Sequence, residues 1–268
     1  MQLKRIIEFL VFSNVWISLG AVGIALTTFF YTKTELDLLV IMLVFFSTLF
    51  GYSLQNISQR DIHIQRSNQI TWSHSNNKLI KWIVFVSFLI SVFLSFYIMN
   101  IYLIILSIPF FALVFLYRNV FSSKLQIRNI PFLKILIISF CWCWTCCALP
   151  QLVSGCIFNW NLTFIIFVYV FAITIPFDIR DMTIDKRKIY TIPQFTGIRV
   201  AYIISQFSIL CLSFFALYLS NYLLCFFMVI TNLFLIPSLK IKSEFYYLFV
   251  LDGLCLLYTS DAADEEDS

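Results

Sequence analysis

The chain has 268 residues, of which 61% are apolar and only 12% are charged, and its mean hydropathy is +0.91. This composition excludes an ordinary soluble domain and indicates an integral membrane protein that contacts the lipid bilayer. The net charge is only +4, and no basic stripe lies outside the loops between apolar runs, so we expect no nucleic-acid binding.

Apolar runs of spanning length follow one another along the chain. They lie at about residues 7–31, 36–56, 80–99, 101–117, 132–152, 158–177, 198–220 and 221–239. A ninth run, at about 245–258, is shorter than the ~20 residues that a helix needs to cross a bilayer. The runs lack the two-residue alternation of a membrane β-barrel. The predicted fold class is therefore all-α, a polytopic membrane helix bundle with eight to nine transmembrane helices.

The basic residues predict the orientation of this bundle. With the N-terminus in the cytoplasm of an inner or plasma membrane, all of the 18 Lys and Arg residues except Lys33 fall in cytoplasmic segments. The long polar loops after helices 2 and 6 are then both cytoplasmic, and they lie four helices apart. This arrangement predicts two parallel four-helix halves with a cytoplasm-facing site between them.

Cysteines and the last residues carry less information. Most of the eight Cys lie in apolar runs, and no second CxxC or histidine pair accompanies the segment FCWCWTCC, so we interpret these residues as packing groups rather than zinc ligands. We expect a single transmembrane domain over residues 1–258. Residues 259–268 form an acidic stretch, which we interpret as a sequence artefact or alternatively as a disordered tail.

A charged segment, residues 176–188, follows the sixth apolar run. Its acids Asp178, Asp181 and Asp185 are spaced i, i+3 and i+7, so on a helix they share one face with Cβ atoms about 5–6 Å apart. Carboxylates this close repel one another unless a cation lies among them, and such oxygen ligands suit Mg²⁺. Basic residues of the same segment are candidate contacts for a diphosphate: Arg180, Lys186, Arg187 and Lys188. The alternative interpretation is a solvated loop whose charges pair internally.

In these features the chain resembles the UbiA-type membrane prenyltransferase superfamily. The resemblance rests on the span number, the two cytoplasmic polar loops and the sequence DIRDMTIDKRKIYTIPQFTG. Members carry a DxxxD or DxxDxxxD element here, often followed by a Gly and a Thr-Leu/Ile-Pro turn. The residues Thr191, Ile192, Pro193 and Gly197 match that continuation, although the Gly after the last Asp is missing. The motif likeness covers residues 176–197, and the topological likeness covers most of the chain.

The first motif of the superfamily, NDxxDxxxD at the end of helix 2, is degenerate in this chain. The corresponding sequence GYSLQNISQRD has no aspartate cluster, but Tyr52, Asn56 and Arg60 share one helical face. Asn56 offers a neutral oxygen to a metal, and Arg60 offers a positive charge to a phosphate. A plain helix end facing the cytoplasm is the equal alternative. Loop residues His63, Arg66, Trp72 and His74 are candidates for closing over the site.

The resemblance implies transfer of a polyprenyl group from its diphosphate to a lipophilic, aromatic acceptor. It implies that Asp178, Asp181 and Asp185 bind Mg²⁺, and that Mg²⁺ and basic residues draw off the departing diphosphate. Two alternatives stay open. The first is a non-catalytic member of the superfamily that binds a prenyl or quinone lipid, which the degenerate first motif favours. The second is a small-solute transporter, which paired broken helices would favour. Neither the acceptor nor the oligomeric state follows from the sequence.

Overall fold

The structure is a computed structural model that describes residues 2–57, 67–118, 132–184, 191–240 and 243–256. Among these residues the secondary structure is helical, in the order α1 (Gln2–Phe12), α2 (Val15–Thr32), α3 (Leu38–Ile57), α4 (Asn68–Ser75), α5 (Asn77–Ile98), α6 (Ile101–Arg118), α7 (Leu133–Cys143), α8 (Leu149–Val153), α9 (Trp160–Ile184), α10 (Ile192–Thr196), α11 (Ile198–Tyr218) and α12 (Tyr222–Leu235). A 3₁₀ turn (Ile236–Leu239) and a π-helical segment (Tyr246–Leu251) follow α12.

The predicted all-α membrane bundle is confirmed. Seven helices of the described ranges are long and apolar enough to cross a bilayer, and each occupies one of the predicted apolar runs. Two shorter apolar helices, Ile101–Tyr117 and Tyr246–Leu256, occupy the remaining two runs. The chain is thus an integral membrane protein whose helices begin and end within a few residues of the hydropathy boundaries, apart from the first and sixth runs.

The helices pack mainly within two groups. In the first group α3 lies between α2 and α5, and in the second α9 lies between α7 and α11, which also packs against α12. The groups meet where α2 contacts the π-helical turn Trp144–Ala148, which joins α7 to α8. There the Thr28 hydroxyl donates a hydrogen bond of 3.0 Å to the carbonyl of Cys146. The cysteine-rich run therefore serves as a buried junction between the two halves.

The first predicted span is broken at Asn14, which has a left-handed backbone conformation (φ 67°) between α1 and α2. The Asn14 amide donates to the Ser53 hydroxyl over 3.2 Å, and its oxygen accepts from the Gln69 amide over 3.0 Å. These partners come from α3 and α4, so tertiary hydrogen bonds fix the break. The only local signal for the break is the polar pair Ser13-Asn14 within the apolar run, since Asn tolerates the left-handed conformation better than most residues.

The segment after residue 243, here called the C-terminal helix, packs closely against α2. A Cβ atom on Gly20 would lie 3.0 Å from the Cβ of Cys255, and one on Gly253 would lie 3.2 Å from the Trp16 ring. The Trp16 indole donates a 2.9 Å hydrogen bond to the carbonyl of Phe249 and stacks on its ring. Two glycines therefore allow a close helix crossing that larger side chains would prevent.

The C-terminal helix also holds α4, the helix within the loop after α3. Both carboxylate oxygens of Glu244 are used there, one accepting from the Ser67 hydroxyl (2.5 Å) and the other from the backbone N–H of Asn68 (2.6 Å). Ser67 is the N-cap of α4, so the carboxylate lies at the positive end of that helix. The C-terminal helix thus contacts both α2 and the N-terminus of α4.

Gly20→Ala is expected to lower the unfolding temperature relative to Gly51→Ala. At Gly20 the added methyl overlaps with Cys255 and the Asp252 carbonyl, an overpacking that costs roughly 1–3 kcal/mol, whereas at Gly51 the nearest atom is 3.7 Å away. Thermal unfolding of both variants in one detergent measures the difference. Equal unfolding temperatures would show that the α2 crossing is not tightly packed.

Candidate active site

A cavity of about 300 Å³ lies between the two helix groups. Its walls come from α1, α2, α3, α6, α7, α9 and the C-terminal helix, and α4 contributes Gln69. Aliphatic, aromatic and cysteine side chains together make up just over half of the lining residues, and the charged groups that line the cavity within the described ranges are Lys134, Arg180, Asp181 and Asp252. A mostly apolar pocket with a few convergent polar groups is typical of a small-molecule site.

The polar end of the cavity is built around a lysine between two aspartates. Helix α9 extends two turns past the predicted end of the sixth run, so Asp178 and Asp181 lie on one helical face, as their spacing predicts. The ammonium of Lys134 hydrogen-bonds to Asp178 Oδ1 and lies 3.2 Å from Asp181 Oδ2. Asp178 is 1% exposed and Lys134 9%. The two carboxylates therefore converge on one cationic point.

Arg180 continues this charged end toward the C-terminal helix. Its Nε and Nη2 atoms donate to Asp181 Oδ1 over 3.1 and 2.9 Å. The guanidinium carbon lies 5.4 Å from the ring centres of both Phe177 and Tyr247, a distance at which cation–π attraction applies. Arg180 is thus held in place by an acid and two aromatic rings, and it lines the cavity.

The other predicted half of the site comes from α3. Tyr52 and Asn56 lie one turn apart and both line the same cavity as Asp181 and Arg180. The Tyr52 hydroxyl accepts a 2.9 Å hydrogen bond from the indole of Trp142. The polar loop ends of the two helix groups are therefore brought together, although the α3 end supplies an amide in place of a carboxylate.

Several predicted residues lie outside the described ranges: Asp185, Arg60, Lys186, Arg187 and Lys188, together with His63 and Arg66 of the loop. Their assignments stay predictions, as does that of the acidic stretch 259–268. Of the other loop candidates, Trp72 packs against the rings of Phe9 and Phe12, and His74 lies in the last turn of α4. In α4 it is Gln69 that reaches the cavity.

Two charged residues of the cavity escape sequence reasoning. In the sequence, Lys134 is one of many basic residues that are assigned to cytoplasmic segments. Its two aspartate partners become visible only when α7 packs on α9. Asp252 is an isolated acidic residue in the short ninth apolar run, and no motif singles it out. The available signal for both is the same: an ionisable residue within or beside an apolar helix is costly and calls for a partner or a ligand.

The donors at the polar end are compatible with Mg²⁺. Carboxylate oxygens are the ligands that this ion prefers, and it is commonly held by one or two carboxylates plus phosphate oxygens and water. Asp178 and Asp181 already converge on a cation, and the Asn56 side chain lines the same cavity. No group of three His, Cys, Asp or Glu side chains forms a metal site by itself within the described residues. The candidates to complete the coordination are phosphate oxygens and Asp185, which lies outside the described ranges.

Solved structures share the architecture over nearly the whole chain. A UbiA homolog from Archaeoglobus fulgidus bound to GPP and Mg²⁺ matches with a TM-score of 0.61 and 14% identity, covering 94% of this chain and 98% of that one. The same homolog bound to DMAPP and Mg²⁺ gives 0.62 and 13%, covering 94% and 97%. A digeranylgeranylglyceryl phosphate synthase gives 0.53 and 17%, covering 97% and 98%.

No protein-family model matches the sequence, and no curated protein does either. The likeness to the solved structures is therefore one of fold. At identities of this size the comparisons show the fold alone, and the chain has the fold of UbiA homologs, which are polytopic helix bundles. Its cavity lies between the two helix groups, as the sequence predicts for the site.

Proposed function

We propose that this chain is a UbiA-type prenyltransferase that moves a prenyl group from its diphosphate to a lipophilic acceptor. The observation that carries the proposal is a single cavity lined by Asn56 of one helix group and by Asp181, Arg180 and Lys134 of the other. The structural neighbours bound to GPP and Mg²⁺ or to DMAPP and Mg²⁺ support it. The cavity volume of about 300 Å³ is at the lower end of the range of ligand pockets.

The residues of the polar end take the following roles in this proposal. Asp178, Asp181 and Asp185 hold Mg²⁺, which neutralises charge on the diphosphate when it is bound. Arg180, fixed by Asp181 and two rings, presents its remaining N–H groups to phosphate oxygens. Other candidate diphosphate contacts are Asn56, Arg60, Lys186, Arg187 and Lys188. Lys134 sets the spacing of the two aspartates.

The apolar part of the cavity supports the reaction by excluding water. Departure of the diphosphate leaves positive charge on the allylic carbon, and water at that point would hydrolyse it. Tyr52, Trp142 and Phe177 line the cavity, and their ring faces attract such a charge. The N-terminus and the polar loops face the cytoplasm in this proposal, because nearly all basic residues then lie on the cytoplasmic side.

A second candidate is a non-catalytic protein that binds a prenyl diphosphate or quinone lipid. Two observations favour it: Asn56 stands where an acidic motif is expected, and the Lys134 ammonium already occupies the point between Asp178 and Asp181. In that case the charged end would hold a diphosphate without drawing it off. Binding and turnover must therefore be measured separately.

Mg²⁺-dependent prenyl transfer tests the proposal. Purified full-length protein is incubated with tritiated geranyl diphosphate, Mg²⁺ and a total membrane lipid extract, and chromatography reveals any prenylated product. We expect labelled product that EDTA abolishes and that Mg²⁺ restores. Binding of geranyl diphosphate without product would instead support the non-catalytic candidate, and neither binding nor product would contradict both.

A further inference from the structure

One acid of the cavity has no role in holding the diphosphate. Asp252 of the C-terminal helix lines the cavity wall and is 9% exposed. Among the described residues its carboxylate forms no salt bridge or hydrogen bond, and Arg180 acts on it only through its charge. A carboxylate in apolar surroundings is costly unless it meets a polar group. Its remaining exposure is toward the cavity, where a ligand would bind.

The position of Asp252 is fixed by the close crossing of the C-terminal helix with α2. Gly20 lies directly against the Asp252 carbonyl, and the next residue, Gly253, lies against the Trp16 ring. The hydrogen bond from Trp16 to Phe249 holds the preceding turn. These contacts therefore fix the backbone from which the Asp252 carboxylate extends into the cavity wall.

A hydrogen-bond donor lies in the same part of the cavity. The Tyr52 hydroxyl accepts from Trp142, so its own proton is available to a cavity ligand, and the charge of Asp252 acts on this hydroxyl. Donor and acceptor together match a hydroxyl group, which accepts one hydrogen bond and donates another. The surrounding wall is apolar, with Ile17, Ile173 and Leu248 among its residues.

The Tyr52 hydroxyl, which is bonded to Trp142, lies deeper than the charged end, while Asp252 is close enough to that end for the charge of Arg180 to act on it. Lys134 and Trp142 are eight residues apart on α7, and Asp181 and Ile173 are eight apart on α9, which corresponds to about 12 Å along each helix. A diphosphate held at the charged end would place its allylic carbon part of the way along this distance. An acceptor in the rest of the cavity would then lie beside Tyr52 and Asp252, which both line its wall.

Resting on the function proposed above, we propose that Asp252 and Tyr52 bind the acceptor, that the acceptor is a lipophilic alcohol or phenol, and that Asp252 takes its proton. The hydroxyl oxygen forms a bond to the allylic carbon. The bond from that carbon to the diphosphate breaks, and its electron pair leaves on the diphosphate. The hydroxyl proton passes to the Asp252 carboxylate, and the product is a prenyl ether. Tyr52 donates to the oxygen and orients it.

Asp252→Asn tests this assignment, because the amide keeps the shape but cannot take the proton at neutral pH. With tritiated geranyl diphosphate, Mg²⁺ and 4-octylphenol, we expect ether formation to fall about 10²–10⁴-fold, the usual contribution of a general base. Binding of geranyl diphosphate, measured by titration calorimetry, is expected to stay unchanged. Asp37→Asn, at the exposed N-terminus of α3, is the matched control and is expected to retain activity.

A second acceptor separates proton transfer from a merely structural role. The more acidic 4-octyl-2,6-difluorophenol reaches the cavity partly ionised, so it needs a base less. We expect the loss caused by Asp252→Asn to be clearly smaller with this phenol than with 4-octylphenol. A structural defect would reduce both reactions by the same factor and would also weaken geranyl diphosphate binding, and either result would overturn the assignment.

The remaining outcomes separate this inference from the function on which it rests. If the wild-type protein prenylates compounds of a lipid extract but forms no ether with any phenol or alcohol, the acceptor class is wrong and the proposed function stands. Unchanged ether formation by Asp252→Asn would likewise overturn only the role of Asp252. If the wild-type protein forms no prenylated product at all, the proposed function itself fails.

Discussion

Asp181→Asn is expected to reduce prenyl transfer by about 10²–10³-fold, the scale seen when one preorganised charge-stabilising group is lost. Asp181 contacts both cations of the polar end, since Lys134 lies 3.2 Å from one of its oxygens and Arg180 2.9 Å from the other. The amide retains the shape but removes the negative charge that a metal ligand needs and that holds Arg180. Rates with geranyl diphosphate and the lipid extract measure the effect.

Thermal unfolding and a matched variant make this result specific. Asp181→Asn is expected to stay folded, because Asp181 is only partly buried. Asp37→Asn changes the same residue type at a distant helix start, where Asp37 accepts a 2.8 Å hydrogen bond from the backbone of Leu39, a role that Asn also fills. If Asp181→Asn and Asp37→Asn are equally active, Asp181 is not part of the catalytic machinery.

Lys134→Met is expected to destabilise the protein by about 3–5 kcal/mol, because it leaves the charge of Asp178 buried without its main cation. For a chain of this length, a loss of this size corresponds to a fall of roughly 6–20 °C in Tm. The measurement is thermal unfolding in detergent, followed by fluorescence. Lys81→Met, on an exposed position of α5, is expected to change stability by no more than about 0.5 kcal/mol.

A double variant shows whether the lost charge pair explains this effect. Lys134→Met combined with Asp178→Asn removes both charges, so we expect much of the lost Tm to return. A double variant that unfolds at the same temperature as Lys134→Met, or lower, would contradict the charge-pair explanation. It would assign the effect to the packing of the lysine stem instead.

The spans could be predicted because bilayer crossing depends on a local property, the hydropathy of about twenty consecutive residues. The run predicted at 80–99 is the helix Asn77–Ile98, and the run at 198–220 is Ile198–Tyr218. The shared face of Asp178 and Asp181 could be predicted for a similar reason, since helical spacing alone determines it. Their common helix is observed, although their role as metal ligands stays a prediction.

What could not be predicted depends on contacts between distant segments. The break at Asn14 is fixed by Ser53 and Gln69, which lie 39 and 55 residues further along the chain. The pairing of Lys134 with Asp178 spans 44 residues. No periodicity in the sequence encodes such distances, so both features emerge only when the helices pack.

The C-terminal helix places Asp252 in the cavity wall and also holds α4 through Glu244, so its position affects two regions at once. A compound that moved this helix on entering beside Asp252 would also move α4, whose residue Gln69 lines the same cavity. Binding of a compound beside Asp252 and the position of α4 would then be thermodynamically linked. If a shift of α4 changes the affinity for the acceptor by some factor, acceptor binding changes the equilibrium of that shift by the same factor.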